Sequence, residues 1–114
     1  MFTPPLLDLT RAQEFALDAQ QLRELMVTFE QSLADEMVNI QAGLSTGDVL
    51  KVEYALHALK GFMPLFTTEG LAQAMSDLYQ TSREQPQDVI KSIFTPLVPS
   101  LNQLLVEVRA WLAL

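Results

Sequence analysis

The stretch Leu22–Leu44, LRELMVTFEQSLADEMVNIQAGL, decides the fold. Leu22, Leu25, Met26, Phe29, Leu33, Met37, Ile40 and Leu44 recur at steps of three and four. That repeat puts all of them on one side of a helix of about six turns, whereas a strand needs alternation. Asp18 with Gln21 marks its start, a carboxylate able to accept from the free N–H groups of the first turn. Gly43 and the run Ser45-Thr46-Gly47 mark its end.

Toward the N-terminus, Met1-Phe2-Thr3-Pro4-Pro5 reads as an extended lead, because proline fixes φ and restrains the residue before it. Residues 1–7 are taken as a lead or linker and residues 8–114 as the domain. Thr10 followed by Gln13 fits a capping box for a short helix to about Leu17, offering Leu9, Ala12 and Phe15 or Ala16 to a core. Toward the C-terminus, Asp48 starts a third helix that runs toward Phe66 and is expected to close or bend near Pro64. Thr67 or Thr68 caps a fourth helix with the apolar face Leu71, Ala74, Met75, Leu78 and Tyr79. The segment Ser82 to Gln87, with Pro86, is a loop. A fifth helix begins near Asp88, is expected to be split by Pro96 and Pro99, and resumes through Leu101, Leu104, Leu105, Val108, Trp111 and Leu112.

No segment alternates with period two over a useful length, so the fold class is all-α. Long amphipathic helices on short loops imply an antiparallel up-down-up-down four-helix bundle, with a short additional N-terminal helix across one end. Met26, Met37, Met63 and Met75 fall on core faces as gap-fillers. Trp111 and the leucines around it are assigned to the core in preference to a dimer seam.

Composition bounds the function. A chain of 114 residues, nearly half of them hydrophobic, can enclose one core without staples. It has no cysteine and one histidine, so neither a disulfide framework nor the usual zinc constellation is available. A cytoplasmic location fits that usage. No uninterrupted apolar run of about 20 residues is present, so membrane insertion of the domain is not expected. The net charge of −7 and the lack of a basic stripe argue against nucleic acid as a partner. Glycine-rich phosphate loops and GxSxG are absent, so no conventional enzyme is visible.

One histidine remains to be explained. Treating Asp48 to Phe66 as a helix, with about 100° between successive side chains, places Val52, Ala55, Leu59, Phe62, Met63 and Phe66 in one band opposite His57. His57 therefore points away from the core, on a face with Leu50, Glu53, Tyr54, Lys60, Gly61 and Pro64. Glycine inside a helix costs about 1 kcal/mol relative to alanine, which asks for a reason. Gly61, one turn beyond His57, leaves the imidazole accessible to something bulky. Lys60 on the same face suits a negatively charged visitor. Leu50, Tyr54, Pro64 and Leu65 stand on or beside this face, where apolar side chains have no core to fill, and suggest a docking patch.

These residues carry a resemblance. Phe29, Leu33, Gly47-Asp48 and, nine residues after that Asp, His57-x-Leu59-Lys60-Gly61 resemble the pattern of histidine-containing phosphotransfer (HPt) domains, the helical modules of two-component phosphorelays. The likeness spans about Leu22 to Leu78. It implies that His57 accepts a phosphoryl group from the phosphoaspartate of a response-regulator receiver domain and passes it to another receiver. It also implies that Lys60 neutralises phosphate charge and that Gly61 gives access. Leu50, Glu53, Tyr54, Pro64 and Leu65 would meet the partner; Glu53, one turn before His57, either orients the imidazole through its second nitrogen or is an ordinary solvated glutamate. No metal or cofactor is implied in this chain, the magnesium ion belonging to the receiver; a hybrid sensor kinase is a further partner of the family. Phe62, Met63 and Pro64 depart from the small residues that usually follow the glycine, and Thr67 stands where another glycine is common. Two other readings are kept: a receiver-binding adaptor of the same fold without transfer, and an unrelated helical interaction module.

Overall fold

The computed structural model describes residues 4–114, so Met1–Thr3 of the expected lead lie outside the described residues. It is all-helical: α1 Thr10–Phe15, α2 Ala19–Thr46, α3 Val49–Phe66, α4 Glu69–Ser82 and α5 Gln87–Leu112. Among the described residues the only extended pairing is an isolated bridge between Leu7 and Thr67. Of the long helices, α2 packs on α3 and α5, α4 packs on the same two, and α1 lies against α3 and α2. Each thus finds two partners for its apolar stripe, and together they enclose one core.

The α2 stripe is buried as its periodicity requires, with Met26, Phe29, Leu33, Met37 and Ile40 all in the core. Asp18 caps the helix by accepting from the Gln21 N–H at 2.8 Å, while the Gln21 side chain reaches back to the Leu17 N–H. Its end lies later than Gly43, which is inside the helix and buried. The stop is Gly47, left-handed at φ 73°, and the N–H groups of Gly47 and Asp48 both return to the Gly43 carbonyl, as in a Schellman-type end. Gly43 serves close approach: a Cβ there would stand 2.6 Å from Val52 Cγ2 and 3.1 Å from the Asp48 carbonyl oxygen.

Asp48 begins α3 by accepting from the Lys51 N–H at 3.1 Å. At the other end of α3, Phe66 stacks on Phe29 of α2 with ring centroids 4.3 Å apart, and Phe62 meets the same ring edge-on at 5.5 Å. Leu56, outside the band drawn from the wheel, is also fully buried, because α3 is covered by α4 as well as by α2 and its buried arc is wider than one neighbour would need.

Pro64 lies within α3, which closes two residues later at Phe66, near where closure is expected. The expected split of α5 does not occur: it is one helix through Pro96 and Pro99. Each proline frees the carbonyl four residues earlier. Those carbonyls belong to Lys60, Ser92 and Thr95, all exposed residues, so water can take the place of the lost N–H. Ile90, Phe94, Leu101, Leu104 and Val108 meanwhile hold α5 to the core. By length and composition alone α5 would suffice to cross a bilayer; these five side chains are buried in protein.

The segment of residues 4–7 is fastened down. Leu6 and Leu7 N–H both donate to Glu107 Oε1 at 2.8 Å, and Gln103 Nε2 donates to Glu107 Oε2 at 2.7 Å and to the Pro4 carbonyl at 3.0 Å. The Leu6 carbonyl accepts from Thr67 Oγ1 at 2.7 Å and from the Thr68 N–H at 3.0 Å. Thr67 therefore holds this segment and does not cap α4; Thr68 has the N-cap position, without a side-chain cap bond. Nor does Thr10 cap α1. Its N–H donates to the Asp8 carboxylate at 3.0 Å, and α1 ends at Phe15. Hydrogen bonds from the Thr10 backbone and side chain lower the Asp8 pKa. Because the folded value is depressed, that contact supports the fold above the ordinary carboxylate range and is lost as pH falls through the lowered value.

Replacing Gly43 with alanine is expected to destabilise the protein by about 1–3 kcal/mol, the usual cost of an added methyl in a closed contact. Urea unfolding of Gly43→Ala against wild type measures it, and an unchanged midpoint would contradict the close approach of α2 and α3.

Candidate functional site

The site is built on the outward side of α3. His57 is exposed, one position after the fully buried Leu56 and two before the fully buried Leu59. Lys60 and Gly61 are exposed beside it. A Cβ built on Gly61 meets nothing within 4 Å, so no internal contact demands a glycine. The space it leaves opens away from the protein's own packing, on the side where His57 stands.

The docking residues expected from sequence divide into two groups. Leu50 and Tyr54 are 58% and 70% exposed, and Val49 at 52% extends their patch toward the start of α3. The helical wheel places Val49 at the edge of the face, outside the expected set. Pro64 and Leu65 are half-buried. The Pro64 carbonyl accepts from Arg11 Nη1 at 3.2 Å, and Leu65 packs against the core. Leu65 thus serves the interior more than an outer patch.

Glu53 turns to a partner other than the imidazole. Its Oε1 lies 3.7 Å from Nε of Arg83, the residue that caps the end of α4. The group against the imidazole is Tyr79, on α4, with ring centroids 5.2 Å apart and planes inclined at 55°. Lys60 Nζ stands 5.0 Å from the centroid of the same Tyr79 ring, and Arg83 Cζ 6.0 Å from it. Sequence reading assigned Tyr79 to the core face of α4, and its ring does pack against the core while remaining only half-buried. Its second role depends on the packing of α3 against α4, which no local pattern shows.

Beyond Lys60 the surface falls into an open groove of about 560 Å³, with Arg11, Pro64, Glu69, Gly70 and Gln73 among its walls. Arg11 Nη2 bonds Glu69 Oε1 across it at 3.1 Å. Chemically, the site offers an accessible imidazole nitrogen, an ammonium group within one turn, a guanidinium shared with a carboxylate, and open space at Gly61. That set suits a negatively charged group approaching the histidine from solvent. Comparison with family models, with curated proteins and with solved structures returns no match for the chain.

Because Gly61 is exposed and unencumbered, Gly61→Ala is expected to raise stability by up to about 1 kcal/mol through helix propensity. Thermal and urea unfolding test this; a loss of stability would mean that the glycine serves the fold.

Proposed function

We propose that this chain is a phosphorelay intermediate of the HPt type, accepting a phosphoryl group on His57 from a receiver-domain phosphoaspartate and passing it to another receiver. The observation that carries the reading is the exposed imidazole of His57 with Lys60 and an unencumbered Gly61 on the same face of α3. In this reading α2 to α5 form an antiparallel up-down-up-down four-helix bundle, with α1 across one end. The order of helix contacts, α2 to α3 to α4 to α5 and back to α2, supports that topology.

In the transfer, an imidazole nitrogen of His57 uses its lone pair to form the N–P bond while the P–O bond to the receiver aspartate breaks. The carboxylate leaves with the bonding electrons. The proton on the other ring nitrogen stays or passes to water, and the reverse steps deliver the group to the next receiver. Such transfer needs alignment and charge neutralisation more than covalent help from the protein. Nε2, the outer nitrogen, is the atom assigned to attack. Lys60 supplies part of the positive charge, at an exposed site about 1 kcal/mol or less, and the receiver supplies magnesium. Gly61 admits the phosphoryl group and the loop that carries it. Val49, Leu50 and Tyr54 give an apolar footing beside the histidine for a receiver or for the receiver of a hybrid sensor kinase.

The test is transfer of label from a set of phosphorylated receiver domains to the wild type and to His57→Gln, scored as acid-labile, alkali-stable phosphate. Label on the wild type alone is expected, and Gly61→Ala should label more slowly despite its firmer helix. Binding of receivers without transfer would point to an adaptor. No transfer and no binding would sink the phosphorelay reading.

A further inference from the structure

An exposed histidine with nothing against its ring is free to sample its rotamers, and an exposed lysine is freer still. In this structure both rest beside the same aromatic ring. His57 lies against Tyr79, and the Lys60 ammonium and Arg83 guanidinium lie close to the same ring. Tyr79 itself is packed against the core, and its helix is held by the buried Leu71, Met75 and Leu78. The ring is a fixed surface, supplied by α4, on which mobile groups of α3 come to rest.

We propose that Tyr79 is the positioning residue of this site, its aromatic ring setting the angle of the His57 imidazole and holding Lys60 and Arg83 as paired cations beside it. The inference rests on His57 being the phosphoryl acceptor. Cations gather over an aromatic face because its quadrupole is negative there, so the ring concentrates positive charge without contributing a charge of its own. A hydrogen-bonding residue in its place would fix the imidazole by one bond; the tyrosine fixes it by a surface. Arg83 is also drawn toward Glu53. A phosphoryl group arriving on His57 competes with that carboxylate for the guanidinium, so Arg83 can move from Glu53 to the phosphate while staying against the ring. Tyr79 never touches the phosphorus and acts through the three side chains that it places.

The test compares wild type, Tyr79→Phe and Tyr79→Leu, each first shown folded by circular dichroism. Two donors are used, phosphorylated receivers and potassium phosphoramidate. With the latter the P–N bond of the donor breaks as the His57 N–P bond forms, and ammonia leaves. Tyr79→Leu should slow His57 phosphorylation from either donor on the order of tenfold, since misorientation and loss of the cation contacts act together. Tyr79→Phe should stay within about twofold, because the ring and not the hydroxyl is invoked. In NMR spectra the His57 ring protons should carry an aromatic ring-current shift in wild type and Tyr79→Phe that disappears in Tyr79→Leu. A histidine spectrum indifferent to Tyr79→Leu, an unchanged rate in that variant, or equal slowing by both variants would overturn the proposal. Wild type that takes phosphoryl from neither donor would overturn this proposal and the phosphorelay reading together. A labelled wild type with an insensitive Tyr79→Leu would overturn this one alone.

Discussion

The rotation of α3 about its own axis is the constraint on which everything else depends, and it is fixed at both ends by α2. At the first turn Val52 is seated against Gly43, where an added methyl would collide. At the other end, Phe66 stacks on the Phe29 ring and Phe62 makes a T-shaped contact with it. A helix pinned at two points cannot turn, so the burial of Val52, Leu59 and Phe66 forces the opposite side outward. The exposure of His57 is a result of packing at residues several ångströms away from it. Had either anchor been absent, an apolar helix such as α3 could gain core contacts by rolling its histidine inward, at the cost of an unsatisfied ring nitrogen.

The same anchors account for residues that would otherwise look unconnected. Gly47 turns the chain in the left-handed region, and Asp48 then caps α3. Gly43 accepts the N–H of both and lets the two helices close up immediately after the turn. Three consecutive features of the sequence thus serve one corner, and that corner sets the register in which α3 leaves it. Thr67 has a similar place at the far end of α3. It caps the end of α3, and its hydroxyl ties down the segment before α1.

Most of the helices were legible in the sequence because their apolar residues recur with the helical period, and the outward direction of His57 followed from that period alone. What local patterns could not give was the response of neighbours. Pro96 and Pro99 argue for a break in α5, yet the carbonyls they free sit on the exposed side while Phe94 and Leu101 hold the other side to the core. Gly43 read as a helix end because glycine commonly is one, and only the nearness of Val52 shows it to be a spacer. At the site, His57, Lys60 and Gly61 were visible as one face of one helix. Tyr79 belongs to a second helix and Arg83 caps its end, and their approach depends on how α3 and α4 meet. Spacing along α3 leaves Glu53 either a partner of the imidazole or a solvated carboxylate, and in the structure its carboxylate stands 3.7 Å from the Arg83 guanidinium across the helix gap.

The chain has a single tryptophan, and its place divides the molecule optically. Trp111 lies in the last turn of α5, half-buried against the core. There Arg23 of α2 bonds the Leu112 carbonyl at 2.8 Å and Arg109 bonds Glu30 at 2.9 Å. Its emission therefore reports on the seam between α2 and α5. The face bearing His57 belongs to α3 and α4, and its aromatic groups near the imidazole are tyrosines. Excited beyond the tyrosine band, indole fluorescence follows the loosening of α5 from α2, a signal distinct from the ring-proton shifts that report on the histidine face, and both are available in the unmodified protein.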